Sequence, residues 1–240
     1  MLNVALALAV VVVAQSPTPA VEIVHSGLIE RYCADAAAQK PSPAVMAEID
    51  QRLGEFQTAW AKDGPTWLAE NVRITGQPYR FHETEATLSA CPDIASMSAP
   101  LLINVVRFTH AYAASTEPPP RPAGMGGVAP PPGPRVALPF DDFAHTLWHE
   151  VTHRYVHDIL QSRPGRTTPL LQKYAGESQV TRSHLHLFAL DMLISARLGR
   201  KADFDRQEAT LKARGIQGLA RAIEIVRAEG PDKFVAELAR

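Results

Sequence analysis

The chain carries almost no excess charge: 24 Lys and Arg residues face 25 Asp and Glu among 240 residues, a net charge of −1. Proteins that grip nucleic acid or an anionic membrane do so through a basic surplus, so no nucleic-acid partner is expected. Cysteine is scarcer still. The two present, Cys33 and Cys91, form no C-x-x-C pair, which argues against a zinc knuckle or a dithiol redox motif. No apolar run approaches the roughly 20 residues that a bilayer-spanning helix needs, and no internal repeat is evident. What is present is ordinary for a globular protein, with 46% hydrophobic and 20% charged residues in a chain long enough to bury a real core.

The chain opens "MLNVALALAVVVVAQSPTPA". The uncharged, apolar stretch from Leu2 to Ala14 ends in small residues suited to a signal peptidase and gives way to polar, proline-containing sequence. Residues 1–14 are therefore expected to be a cleaved export signal, leaving residues 15–240 as a single periplasmic or secreted domain with no stable membrane span. The lack of Lys or Arg in "MLN" keeps an uncleaved anchor open as the alternative. In an oxidising compartment Cys33 and Cys91 are expected to bridge the N-terminal segment to the middle of the domain; two separate buried thiols also satisfy the spacing.

From Ser42, an N-cap followed by Pro43, the residues Met46, Ile49, Leu53, Phe56 and Trp60 recur at intervals of three and four and predict an amphipathic helix. Past Gly76, "YRFHETEATLS" and "PLLINVVRFTH" predict two strands separated by "CPD". Residues 117–135, "EPPPRPAGMGGVAPPPGPR", predict a loop, because proline removes donors and glycine leaves the backbone unrestrained. A solvated insertion is preferred there over a mobile flap. "VALPF" predicts a third, edge strand, and Asp141 or Asp142 the N-cap of the next helix. Thr168 and Pro169 start a further helical segment, Val180 to Leu198 a buried helix ending at Gly199, and the remainder helices broken at Gly215 and Gly230-Pro231. The fold class expected is α+β, with a small sheet before the central helix and helices after it.

That central helix contains "FAHTLWHEVTHRYVHD", with His145, His149, His153 and His157 at four-residue intervals. Side chains four apart on a helix have Cβ atoms ~5–6 Å apart, so two imidazoles can converge on one cation. Of the adjacent pairs, His149 and His153 are singled out because Glu150 directly follows the first member. The resulting His-Glu-Val-Thr-His is an HExxH motif, in which the glutamate is placed to take a proton from water beside the metal. The plain alternative is a helix that carries several histidines by chance. "HETE" at residues 82–85, by contrast, reads as alternating polar residues on a half-exposed strand.

A catalytic zinc keeps three protein ligands and one open position. His157 only continues the same helix, without the glycine turn of HExxHxxGxxH enzymes. Downstream, "LLQKYAGESQVTRSHLHLF" supplies Glu177, 24 residues after His153, and the Pro164-Gly165 turn lets the chain reverse. With HExxH on one helix and a glutamate on the next, residues Val136 to Leu198 resemble the gluzincin, or thermolysin-like, zinc metallopeptidases. The resemblance implies a zincin-like domain with Zn2+ held by His149, His153 and Glu177, Glu150 as general base, and a peptide or protein as substrate. "YAGESQV" departs from the family's usual surroundings of the third ligand, Thr181 stands where a supporting aspartate is common, and His184 is the best substitute ligand. If Glu177 binds the metal, His184 and Tyr174 are candidates for polarising the substrate carbonyl.

His145 and His157 read as cleft neighbours, and His186 as a satisfied polar residue at the helix surface. "VALPF" is placed to pair with an extended peptide. Gly124-Met125-Gly126-Gly127 lacks the acid that gluzincin aminopeptidases use to bind the substrate amine, so that specialisation is not expected. The competing function is a catalytically inactive metallopeptidase-like domain that binds zinc or a partner through the Pro-rich loop. Retention of Glu150 favours the enzyme, since a structural zinc site has no need of an acid there.

Overall fold

Short alternating segments begin the described chain, a computed structural model covering residues 18–36, 40–91, 95–114, 137–162, 168–213 and 215–239. The expected signal segment, the Pro/Gly loop at 117–135 and the Pro164-Gly165 turn lie outside the described residues. Strand β1 (Ala20–His25) and helix α1 (Gly27–Ala36) come first, and neither was expected. Helix α2 (Pro43–Thr75) follows, then strands β2 (Glu83–Ser89), β3 (Met97–Ser98) and β4 (Leu101–Asn104). After a 3-10 turn at Val106–Phe108 and the short α3 (His110–Ala114), the rest is helical: α4 (Asp141–Gln161), α5 (Pro169–Lys173), α6 (Gln179–Arg197), α7 (Lys201–Ala213), α8 (Gln217–Glu229) and α9 (Pro231–Ala239). The fold is α+β, with a mixed four-stranded sheet in the order β1-β2-β4-β3.

The sheet is assembled by distant partners. β1 and β4 both run parallel to β2, which places Ile23 beside Ala86 and Leu88 beside Ile103 on one buried face of the sheet. Parallel neighbours need a crossover, and α1 and α2 supply it between β1 and β2. β4 ends at Asn104 because that side chain turns the chain: its Nδ2 donates to the Cys91 carbonyl and its Oδ1 accepts from the Val106 N–H. The strand expected over "PLLINVVRFTH" is thereby cut short. Cys91 is disulfide-bonded, and Cys33 is the chain's one other cysteine.

The stripe that predicted α2 is buried at Ile49, Phe56 and Trp60 and continues through Trp67 and Leu68 well past the expected end. The helix stops at Gly76, whose φ of 67° puts it in the left-handed region while its N–H closes on the Val72 carbonyl. Ser42 occupies the N-cap position without a side-chain bond, and Pro43 begins the helix. Two further expectations are corrected. Residues 137–139 form no strand. Leu138 makes one backbone bond to the Arg107 carbonyl, and the Phe140 ring packs 4.8 Å from Phe56 under the Arg52 guanidinium, so this segment offers no sheet edge for a peptide. Asp141 and Asp142 lie inside the first turn of α4, where their charge meets the helix dipole, and Phe140 holds the N-cap position. No helix among the described residues is long and apolar enough to cross a membrane.

Two glycines of α2 make opposite predictions. A Cβ on Gly64 would sit 2.4 Å from the ring of buried Trp60, whereas one on exposed Gly54 meets nothing within 4 Å. Gly64→Ala is expected to lower stability by roughly 1–3 kcal/mol through overpacking, and Gly54→Ala to raise it by roughly 0.5–1 kcal/mol through helix propensity. Urea midpoints moving in opposite directions are the check.

His25, at the end of β1, also ties stability to pH. Its side chain is 5% exposed, with Nε2 3.2 Å from Glu30 and Nδ1 2.7 Å from Asp50. The hydrogen bond to Glu30, aided by Asp50, raises its pKa above the ordinary 6.5 against the opposing effect of burial. A pKa raised on folding contributes stability that is complete below the unfolded value and is lost as pH rises through the folded one. The urea midpoint is therefore expected to fall as pH rises from the ordinary imidazole value of 6.5 through the raised one, and His25→Gln to flatten that slope.

Candidate metal centre

The wide face of α4 is committed to α2. Phe143 meets Phe56 at 4.8 Å and Trp148 meets Trp67 at 4.9 Å between ring centroids. Buried hydrogen bonds reinforce these contacts: Asn71 Nδ2 donates to Thr152 Oγ1 at 3.0 Å and to the Tyr79 hydroxyl at 2.8 Å, and the Tyr155 hydroxyl donates to the Gln77 carbonyl at 2.6 Å. With that face held, the row His145, His149, His153 can only turn toward α6. The two helices run antiparallel there, since His145 meets Asp191, His149 meets Phe188 and His153 meets His184.

Three imidazoles converge at the middle of this contact. His149, His153 and His184 are half-buried, and one ring nitrogen from each lies within 4.8 Å of the others. Ring centroids are 4.9 Å apart for His149 and His153, 5.3 Å for His149 and His184, and 4.5 Å for His153 and His184. The Nε2 atoms of His153 and His184 are 3.1 Å apart. His184 Nδ1 lies 2.7 Å from the Val180 carbonyl one turn earlier, a bond that needs the proton on Nδ1 and leaves the Nε2 lone pair turned to the cluster.

Electrostatics keep the cluster neutral. Burial, with the neighbouring imidazoles His153 and His184 adding to it, holds His149 well below its ordinary pKa. Burial and then His184 bring His153 down to about 3, and burial lowers His184 to about 4. Neutral imidazole is the form that ligates a metal. His149 Nδ1 is buried with no hydrogen-bond partner, one of few such side-chain atoms among the described residues. Three neutral nitrogen donors, one ring with an unmet nitrogen, fit a divalent cation. Among the described residues no second group of three histidine, cysteine or carboxylate side chains stands so close, and His82 to Glu85 form no such group.

The structure redistributes the expected roles. Glu177 is outside the cluster. α6 begins only at Gln179, with Ser178 Oγ accepting the Thr181 N–H as cap, so Glu177 stays in the preceding turn and accepts from Arg221 of α8 at 2.9 and 3.1 Å. His184, nearly two turns further on, is the third side chain close enough to His149 and His153 to hold a metal ion with them. The Tyr174 hydroxyl donates to Glu229 at 2.7 Å and is not brought to the histidines. His186 is not at the helix surface: it is buried and bonded to Glu237 at 2.9 Å. His157 is exposed beside Asp158.

Glu150 is 8% exposed, and no hydrogen bond or ion pair offsets its burial, which pushes its pKa up to about 8. It stands next to His149 in the chain, about 100° around the helix. Asp191 was missed by sequence reasoning. Its signal was its position seven residues after His184, which places both on one helix face.

No protein family, curated protein or solved structure matches this chain. The ligand assignment is checked by elemental analysis after zinc loading. About one zinc per chain is expected, lost in His149→Ala and His184→Ala and retained in Glu177→Ala.

Proposed function

We propose that this chain is a zinc-dependent metallopeptidase, with His149, His153 and His184 as ligands and Glu150 as general base. The observation that carries the proposal is the convergence, among the described residues, of three half-buried neutral imidazoles, with the buried carboxyl group of Glu150 next in sequence to one of them. A structural zinc site fills four positions from the protein, whereas the described residues offer three ligands here, which would leave a position for water or substrate. Imidazole ligands suit several transition metals, and the choice of zinc rests on the HExxH pattern. The zincin-like reading of the fold belongs to the same proposal, supported by a sheet that precedes the HExxH helix and a second ligand-bearing helix after it. Export from the cytoplasm is likewise proposed, and the disulfide at Cys91 supports it.

Zinc bound at this site supplies Lewis acidity, polarising a carbonyl and making water a better proton donor. The chain's own residues do the rest. His184 is oriented by its bond to the Val180 carbonyl, and Phe188, 5.5 Å from His184 and 5.9 Å from His149, forms an apolar floor that excludes water from beneath the rings. Burial alone keeps Glu150 protonated at neutral pH; beside a bound cation, whose positive charge favours the ionised form, its carboxylate would accept a proton from the attacking water and deliver it to the departing amine nitrogen. Tyr174 and Glu177 have no part in this scheme.

The test is cleavage of unstructured peptides by the zinc-loaded chain, followed by mass spectrometry. Glu150→Gln is expected to keep its zinc and lose activity by about 10²–10⁴-fold, and a chelator to abolish turnover until zinc is restored. A fully loaded wild type that cleaves nothing would point instead to a zinc-binding domain without turnover.

A further inference from the structure

We infer that His145 and Asp191 are positioning residues that set the register between the two ligand-bearing helices and so assemble the metal centre. The inference rests on the metal-site reading above, and neither residue is itself a ligand.

His145 lies one turn before His149 on α4, and Asp191 two turns after His184 on α6. His145 Nε2 is 3.0 Å from both carboxylate oxygens of Asp191, and Ser195 Oγ donates to the same carboxylate at 3.0 Å. Asp191 is fully buried. The His145 ring lies between Trp67 of α2 and Trp148 of its own helix, with centroids at 5.1 and 5.3 Å, and its Nδ1 is 3.3 Å from Gln207 Nε2 of α7, so its direction is held from three sides.

The ligands come from two differently anchored helices. α4 packs most extensively on α2, whereas α6 packs more extensively on α8 and α9 than on α4. Apolar contact across such a seam tolerates sliding, but a buried carboxylate has one position that satisfies its donors. A slip of one residue moves a helix by ~1.5 Å along its axis, which is large against a zinc–nitrogen distance of ~2.0–2.1 Å. Arg197–Glu70 and Arg200–Asp63 also tie α6, but to α2, from its C-terminal end and partly in solvent. The His145–Asp191 pair crosses from α6 to α4 itself.

A second buried pair on the same helix provides the control. His186 projects from the opposite side of α6 and bonds Glu237 of α9. Zinc affinity of the full chain, measured by chelator competition, is compared for wild type, Asp191→Asn, Ser195→Ala and His186→Gln, with unfolding midpoints recorded for each. Asp191→Asn is expected to weaken zinc binding by about 10–100-fold, with an altered visible spectrum in the cobalt-loaded protein. Ser195→Ala is expected to weaken binding less, in the same direction. His186→Gln should lower the unfolding midpoint and leave affinity unchanged. Should Asp191→Asn fail to fold, Ser195→Ala decides. Unchanged affinity in the folded variants, or an equal loss in His186→Gln, overturns the positioning role and leaves the metal centre standing. A wild type that binds no zinc overturns both.

Discussion

Trp148 against Trp67 and Phe143 against Phe56 settle which way α4 is turned, and with it the direction of every histidine in the motif. A helix has one rotation about its axis. Once its aromatic face is buried against α2, the row from His145 to His153 has α6 as its neighbour, and α6 in turn presents Asp191, Phe188 and His184 in matching order. The hydrogen bonds from Asn71 to Thr152 and from Tyr155 to the Gln77 carbonyl resist rotation in the same sense. They are directional where the ring contacts are not.

Most buried polar groups of the described chain are paired: Glu30 with His25 and the Ala90 N–H, Glu237 with His186 and the Leu170 N–H, Asp191 with His145 and Ser195. Among the described residues the buried side-chain atoms without a partner are Asn71 Oδ1, Trp148 Nε1 and His149 Nδ1, and the Glu150 carboxyl has no hydrogen bond or ion pair. Leaving a buried polar atom unmet costs about 1–3 kcal/mol, and at His149 a bound cation would offset it. Local rules are commonly broken at functional sites for this reason.

The long helices were legible because their signals are local. The stripe in α2, the stop at Gly76, the apolar run of α6 and its end near Gly199 depend on residues within a turn or two of one another. β1 escaped notice because a six-residue strand is made by its partner, and its partner β2 lies some sixty residues on. The described residues 137–139 of "VALPF" failed for the converse reason: they have strand-like composition but join no ladder, and propensity without a partner makes no strand.

The same division runs through the site. The sequence by itself determined that His149 and His153 share a helix face with Glu150 between them, since spacing of four is a property of the helix backbone. It also narrowed the third ligand to the segment holding Glu177 and His184. Only the tertiary structure brings one of them, His184, within reach of the pair. A shift of a few residues in where α6 begins leaves Glu177 in the turn with Arg221 and carries His184 to the cluster. That choice belongs to the register between two helices anchored on different neighbours, and no local pattern encodes it.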